Sequence, residues 1–128
     1  MPRKSHKRPT DAELAILRVL WDQGASTVRE VFEALDSQTD VGYTTVLKTM
    51  QIMTEKRLLE RDETQRAHVY QPVLAEEITQ QQLVGDLLDR AFHGSSARLV
   101  LQALSSHQAT PAEIAEIRRL LDKMAEDS

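Results

Sequence analysis

Three copies of a Thr-x-x-Glu pattern restrict the fold of this chain more than any other sequence feature. In such a capping box the threonine hydroxyl and the glutamate carboxylate each accept a hydrogen bond from a backbone N–H that a helix start leaves unpaired. The 128 residues include only 4 glycines and 4 prolines, so little interrupts the helices that these boxes begin, and we predict a mainly α-helical fold. The three boxes begin at Thr10, Thr27 and Thr110 and end at Glu13, Glu30 and Glu113.

The first two boxes are followed by apolar residues at helical spacing. The first predicted helix runs to about Asp22, and Gly24 supplies its stop because glycine readily adopts the backbone conformation that ends a helix. The second box opens a helix whose apolar residues recur at i, i+3, i+4 and i+7, which is the spacing of one buried face. Those residues are Val28, Val31, Phe32 and Leu35.

A third helix is predicted from about Tyr43 to Lys56, and two short strands follow it. The strands cover residues 58–61 and 67–71 on either side of a polar hairpin tip at residues 62–66, and Pro72 ends the second strand. Three helices followed by a two-stranded hairpin is the element order of a winged helix-turn-helix domain. The domain assignment is a basic arm at 1–9, a winged-helix DNA-binding domain at 10–72 and a helical dimerisation domain at 73–128.

The third helix is predicted to have one buried and one exposed face. At 100° per residue, Val46, Met50 and Met53 share the face that would pack in the core. The opposite face carries Thr44, Lys48, Gln51 and Glu55, with Thr45 and Ile52 on its flank. Its hydroxyl, amine and amide groups can hydrogen-bond to base edges or phosphates in the major groove of DNA. Hydroxyl residues at a helix start also serve as local caps, so this alternative stays open for the threonines. The candidate DNA-binding residues of this helix are Tyr43, Thr44, Thr45, Lys48 and Gln51.

Three features outside this helix are further candidates for phosphate contact. Arg66 lies at the predicted hairpin tip, and Thr27 lies at the start of the second helix, where backbone N–H groups favour an anion. The third feature is the basic arm, which contains Arg3, Lys4, Lys7 and Arg8. Each feature also has a structural alternative: Arg66 as a solvated arginine, Thr27 as a helix cap and the arm as a solubilising tail.

Residues 73–128 contain more apolar side chains than a helical segment of this size can bury alone. Helices are predicted at about 75–92 and 96–105, and another begins after Thr110 with Pro111 at its first position. Below about 60 residues too little surface leaves water on folding, so we predict a homodimer through this region; packing against the first domain is the alternative. The predicted dimerisation residues are Leu83, Leu87, Leu88, Phe92, Leu101, Leu104, Ile114, Ile117 and Leu121.

The net charge of −4 conceals an uneven distribution of charged side chains. Residues 1–72 hold 11 basic and 11 acidic side chains, whereas residues 73–128 hold 5 and 9. The excess of acid therefore lies in the predicted dimerisation region, away from the candidate DNA-binding face. This distribution favours DNA binding over the main alternative function, a winged-helix module that binds another protein and no DNA.

The composition argues against several other functions. There is no cysteine, so no disulfide, thiolate metal site or thiol nucleophile is predicted. The 4 histidines lack the i+3 or i+4 spacing of a helical metal site, and the 4 glycines stand singly rather than in a phosphate-binding loop. No apolar stretch reaches the roughly 20 residues that span a bilayer. We therefore predict a cytoplasmic protein that is not an enzyme and that needs no metal or cofactor.

Four runs of residues carry a resemblance to a known family: Glu13–Trp21, Gly42–Val46, Glu55–Arg61 and Arg66–Pro72. Together they resemble the penicillinase-repressor family, which includes the BlaI, MecI and CopY types, and the likeness extends over about residues 10–125. It implies a winged-helix repressor that forms a homodimer, binds a pseudo-palindromic operator in double-stranded DNA and blocks transcription. The base contacts that the family makes at the start of its recognition helix fall here on Thr44, Thr45 and Lys48.

The chain departs from this family's pattern at two places. In the β-lactam-responsive members, a membrane sensor protease leads to cleavage of the repressor between an Asn and a Phe of the fifth helix, whereas Gln102 and Ala103 stand here. The resemblance thus implies a sensor-linked protease as a partner, but the residue pair of this chain differs from the family's cleavage site. Copper-responsive relatives bind the metal through C-terminal cysteines, and this sequence has none. The resemblance leaves the inducing signal open.

Overall fold

A computed structural model describes residues 8–128 of the chain, so Arg3, Lys4 and Lys7 of the predicted arm lie outside the described residues. The helices are α1 (Asp11–Gln23), α2 (Val28–Asp36), α3 (Tyr43–Glu55), α4 (Glu76–Ala91), α5 (Ser96–Ser106) and α6 (Pro111–Asp127). The strands are β1 (Ser26–Thr27), β2 (Leu59–Asp62) and β3 (Val69–Pro72). The predicted fold class is confirmed: mainly α with a small β-wing, in a winged helix-turn-helix domain followed by helices.

All three predicted capping boxes are formed, which explains why three of the helices begin where the sequence predicts. Thr10 Oγ1 accepts a hydrogen bond from the backbone N–H of Glu13 at 3.1 Å, and Glu13 Oε1 accepts one from the N–H of Thr10 at 3.0 Å. The boxes that begin at Thr27 and Thr110 make the same reciprocal pair, each with distances of 2.8 and 3.1 Å. Gly24 ends α1 with a φ of 90°, in the region that favours glycine.

The sheet has the strand order β1-β3-β2 and differs from the predicted two-stranded hairpin. Both wing strands lie slightly later in the sequence than predicted, and Pro72 is part of β3, where it pairs with Leu59. The strand β1 was not predicted; it pairs antiparallel with β3 through Ser26 opposite Tyr70. Two residues are too few for an alternating pattern, so this strand becomes visible only through its contact with β3.

The core of the first part of the chain lies between α1, α2, α3 and the sheet. On α3, the side chains of Val46, Met50 and Met53 are each at most 1% exposed, which confirms the predicted buried face. Because this face is enclosed, the opposite face of α3 is held outward in a defined position. The other buried apolar residues are Ile16, Leu17, Leu20, Val28, Val31, Leu35, Leu59 and Tyr70.

The chain divides into two compact units within α4, after Leu83, whereas the sequence placed the domain boundary after Pro72. Two features hold residues 73–83 in the first unit. Trp21 Nε1 donates a hydrogen bond to the backbone oxygen of Leu74 at 3.0 Å, and Thr79 in the first turn of α4 is buried. Leu83, predicted to be a dimerisation residue, is accordingly the last residue of the first unit.

The second unit, residues 84–128, consists of the rest of α4 together with α5 and α6. Neither α5 nor α6 has a buried residue, and Leu101 is 64% exposed. Across the described residues, every helix is too short or too polar to span a membrane. The dimerisation role of the apolar side chains in this unit stays a prediction. Of that set, Leu87, Leu101, Leu104 and Leu121 are exposed, and Leu88, Phe92, Ile114 and Ile117 are half-buried.

Candidate nucleic-acid interface

The exposed face of α3 carries four of the predicted DNA-binding side chains. Thr44, Thr45, Lys48 and Gln51 are all exposed, and the opposite face of the helix is enclosed in the core. A side chain on a packed helix is positioned more accurately than one on a loop. The structure therefore presents these hydroxyl, amine and amide groups from a rigid support, with the division between the two faces that the sequence predicts.

The N-terminal end of α3 is open. Gly42 occupies the N-cap position, and no side chain of the described residues caps this helix. The hydroxyls of Thr44 and Thr45 therefore do not act as caps, and this removes the alternative that the sequence left open for them. The first turn also lacks an acidic residue. The positive end of the helix dipole is thus accessible to an anion such as a DNA phosphate.

Tyr43, the first residue of α3, is held by two side chains of α2. Its ring centroid lies 5.7 Å from that of Phe32 in an edge-to-face arrangement, with an interplanar angle of 79°. The guanidinium carbon of Arg29 lies 4.8 Å from the Tyr43 ring centroid, which is within the range of a cation–π interaction. Tyr43 therefore joins α2 to α3 and holds Arg29 beside the start of α3.

A groove of about 240 Å³ lies between the Arg29–Tyr43 contact and the wing, and we call it the wing groove. It brings together three of the predicted DNA-binding residues, Thr27, Tyr43 and Arg66. Tyr43 also begins α3, so it connects the wing groove to the exposed face of that helix. The other lining residues are Val28, Arg29, Leu47, Ala67, His68 and Tyr70.

Thr27 has the capping role that the sequence gave as its structural alternative, and it also lines the wing groove. Its Oγ1 accepts a hydrogen bond from the backbone N–H of Glu30 at 3.1 Å. Because the cap uses the hydroxyl oxygen only as an acceptor, the hydroxyl proton remains able to donate. Capping of α2 is therefore compatible with a hydrogen bond from Thr27 to a phosphate oxygen.

The tip of the wing is ordered by hydrogen bonds within the hairpin. Asp62 Oδ1 accepts from the backbone N–H and the hydroxyl of Thr64 at 2.9 and 2.7 Å, and these bonds lower the pKa of Asp62. Hydrogen bonds with Tyr70 and Glu63 raise the pKa of Arg61, whose Nε donates to Glu63 at 2.7 Å. Arg61 is therefore engaged within the wing and is not among the residues that line the wing groove.

Arg29 is the basic residue of the wing groove that reasoning from sequence missed. It is the one residue of the second capping box that received no role, since Thr27 and Glu30 form the cap and Val28 belongs to the apolar face. No periodicity connects it to Tyr43, since the two lie on different helices. The signal that the sequence offers is an arginine in the first turn of the helix that comes before α3. In the structure this arginine is exposed.

The sequence profile described as penicillinase repressor matches residues 9–123. The chain belongs to the penicillinase repressor family. The match runs from the residue before the first capping box into α6, so it includes the helices of the second unit as well as the winged-helix fold. The resemblance drawn from the sequence is confirmed.

The relatives of this penicillinase-repressor family member include one protein named as a transcriptional regulator and one named as a repressor. The transcriptional regulator BlaI of Mycobacterium tuberculosis is 35% identical over 92 residues, which are 71% of this chain and 67% of that protein. The penicillinase repressor of Bacillus licheniformis is 27% identical over 115 residues, or 89% of each chain. The solution structure of monomeric Bacillus licheniformis BlaI in complex with the blaP half-operator matches with a TM-score of 0.50 and 24% identity. That match covers 58% of this chain and 89% of the other, and it shows a shared fold.

Proposed function

We propose that this family member is a transcriptional repressor that binds operator DNA sequence-specifically as a homodimer. One observation carries the proposal: α3 is enclosed in the core on one side and exposes a row of hydroxyl, amine and amide groups on the other. A helix of this kind fits the major groove of B-DNA, which is about 12 Å wide. The names of the relatives, and the half-operator bound in the structure of one of them, support the same kind of partner here.

Each group on the exposed face of α3 has a chemistry suited to DNA. Gln51 can form paired hydrogen bonds with adenine, Lys48 can donate to guanine or to a phosphate, and threonine offers both a hydroxyl and a methyl group. The open start of α3 and the wing groove suit phosphates, which position a protein on DNA without specifying the sequence. The first unit therefore combines a surface that reads bases with neighbouring surfaces that hold the backbone.

Dimerisation through the second unit completes the proposal. Leu101 and Leu121 are 64% and 54% exposed, and burial of apolar surface contributes about 25 cal/mol per Å². A second copy of the chain is the partner that we propose for this surface. A two-fold dimer presents two copies of α3, so it binds two related half-sites with greater avidity than either alone. This geometry requires a pseudo-palindromic operator, and its occupancy would exclude polymerase from an overlapping promoter.

The proposed function requires no catalysis, metal or cofactor, and it places the protein in the cytoplasm with its DNA. A sensor-linked protease is a further proposed partner. Its cleavage point by comparison with the family would be the Gln102–Ala103 bond, and both residues are exposed in α5. Co-expression with a candidate protease followed by mass spectrometry tests this partner. A fragment that ends at Gln102 supports it, and an intact chain excludes that protease.

The experiment for the proposed function is selection of bound duplexes from a random pool, followed by titration of the enriched duplex against a scrambled duplex of the same length. We expect one sequence class with two related half-sites. We also expect affinity to fall steeply with salt, because displaced counterions supply much of the binding free energy. Equal affinity for all duplexes would contradict a sequence-specific repressor, and absence of any duplex binding would favour the protein-interaction module.

A further inference from the structure

We propose that the wing groove is a binding site for a phosphodiester of the DNA backbone, with Arg29 as its donor and Tyr43 as the residue that positions Arg29. This inference rests on the proposed function and adds a contact that lies outside the base-reading face of α3. Arg29 and Arg66 both line the groove, and His68 and the Thr27 hydroxyl lie in the same lining. The site therefore gathers donors from α2, from its N-cap and from the wing.

The contact between Arg29 and Tyr43 leaves the donors of the arginine available. A cation–π interaction is an attraction between the positive charge of the guanidinium and the face of the aromatic ring, so it needs none of the five N–H donors of the arginine as a hydrogen bond. With the guanidinium carbon 4.8 Å from the ring centroid, the tyrosine restrains the arginine without occupying those donors. A planar fork held in this way matches two oxygens of a phosphate group.

The charge of the wing groove distinguishes it from two other grooves of the first unit. A groove of about 550 Å³ is lined by Arg18 together with Asp22 and Glu76. A groove of about 340 Å³ is lined by Arg61 together with carboxylates, which are Glu60 and Asp62. The described lining of the wing groove has two arginines and one histidine and no carboxylate. The wing groove therefore attracts a phosphodiester electrostatically, whereas the other two grooves contain both positive and negative side chains.

Tyr43 has a different role in this inference from the direct DNA contact that the sequence predicted for it. Its ring makes both the edge-to-face contact with Phe32 and the cation–π contact with Arg29. A restrained arginine loses less conformational entropy when it binds than a freely rotating one. Tyr43 is thus a positioning residue that acts through its ring, and its hydroxyl is dispensable for DNA binding.

The test measures the affinity of the full-length chain for the selected operator duplex and for a scrambled duplex, by fluorescence anisotropy over a range of salt concentrations. We expect Arg29→Ala to weaken binding to both duplexes by the same factor, roughly tenfold per protomer at about 0.1 M salt. The slope of log affinity against log salt should become shallower by about 1 per protomer. Arg18→Ala is the matched control, because it removes the same charge from the groove of mixed charge, and it should leave both quantities unchanged.

Tyrosine variants test the positioning role separately from folding. Tyr43→Phe keeps the ring and should retain the affinity of the wild type, whereas Tyr43→Leu should weaken binding towards the level of Arg29→Ala. Arg29→Lys keeps the charge but loses the planar fork, so it should bind with intermediate affinity. Thermal unfolding and sedimentation of each variant show whether the fold and the assembly are intact. If Tyr43→Leu does not fold, Tyr43→Phe and Arg29→Lys still decide the question.

Four results would overturn the inference, and they can be told apart. If Arg29→Ala behaves like Arg18→Ala, the groove binds no phosphodiester although the proposed function stands. If Arg29→Ala weakens operator binding alone, Arg29 reads bases. If Tyr43→Phe is as weak as Tyr43→Leu, the tyrosine hydroxyl contacts DNA directly and the positioning role is wrong. If the wild type binds no duplex at all, the inference and the proposed function fail together.

Discussion

Lys56 and Glu13 form an ion pair between the C-terminal end of α3 and the first turn of α1, with Lys56 Nζ 2.8 and 3.0 Å from the two carboxylate oxygens. Glu13 is only 3% exposed, and its Oε1 also accepts the backbone N–H of Thr10. One buried carboxylate thus completes the capping box of α1 and anchors the C-terminal end of α3, the helix that carries the exposed candidate DNA-binding face. The start of α3 is held by the Tyr43 contacts, so both ends of this helix are fixed.

Replacement of Lys56 tests the contribution of this ion pair to stability. Lys56→Met would leave the Glu13 carboxylate buried without its cation. We expect a loss of about 2 kcal/mol in the free energy of unfolding, less than the ~3–5 kcal/mol of a fully buried pair, because the Lys56 side chain is 30% exposed. Urea denaturation followed by circular dichroism measures this loss. Lys48→Met, on the exposed face of α3, is the control and should change stability by less than about 0.5 kcal/mol. Equal stability of the two variants would contradict the anchoring role.

The same carboxylate should make stability depend on pH in the acid range. Burial by itself would raise the pKa of Glu13, but hydrogen bonds from Lys56 and Thr10 and the charge of Lys56 lower the pKa below its ordinary value of 4.5. A carboxylate whose pKa is lower in the folded than in the unfolded chain stabilises the fold fully above the unfolded value. That contribution is lost as the pH falls through the folded value. We therefore expect the stability advantage of the wild type over Glu13→Gln to shrink below pH 4.5.

Denaturation curves of both proteins between about pH 3 and pH 7 measure this dependence. Glu33→Gln removes one negative charge at an exposed position of α2 and corrects for the change in net charge. An advantage of the wild type that stays constant over the whole range would show that Glu13 does not titrate as a stabilising carboxylate.

The two faces of α3 should separate operator binding from stability. Thr45→Ala and Lys48→Ala should each reduce operator affinity by roughly 5- to 150-fold, because a good base contact contributes about 1–3 kcal/mol of discrimination. Neither should change the melting temperature or the oligomeric state. Met50→Ala, on the buried face, should instead lower the free energy of unfolding by about 2–5 kcal/mol. Anisotropy titrations and thermal unfolding distinguish these effects, and unfolding of Thr45→Ala would mean that the exposed face is misassigned.

Charged substitutions in the second unit should separate the protomers. Leu87 and Leu121 are 44% and 54% exposed, and an aspartate at either position would be buried without a partner in a dimer. We expect Leu87→Asp and Leu121→Asp to sediment as monomers and to bind the operator much more weakly, because avidity is lost. Ala115→Asp, on a different side of α6, is the control and should remain dimeric. A monomeric wild type at micromolar concentration would refute the proposed dimer.

Part of the candidate site was predictable because its determinants are local. The buried and exposed faces of α3 follow from helical periodicity alone, so the positions of Thr44, Thr45, Lys48 and Gln51 on one side could be predicted before the structure. The wing groove was not predictable as a whole. Thr27 and Arg66 were singled out separately, but their meeting at one groove with Arg29 depends on how the hairpin packs beside α2 and α3.

The sequence by itself determined where three helices begin, because each capping box closes hydrogen bonds between residues only 3 positions apart. It also determined which side of α3 packs inward, since helix geometry repeats every 3.6 residues whatever the rest of the chain does. Only the tertiary structure decided that Arg29 rests on Tyr43, that Ser26 pairs with Tyr70 and that the first unit continues into α4. These relationships join separate elements, and packing of the core, which no local pattern encodes, brings those elements together.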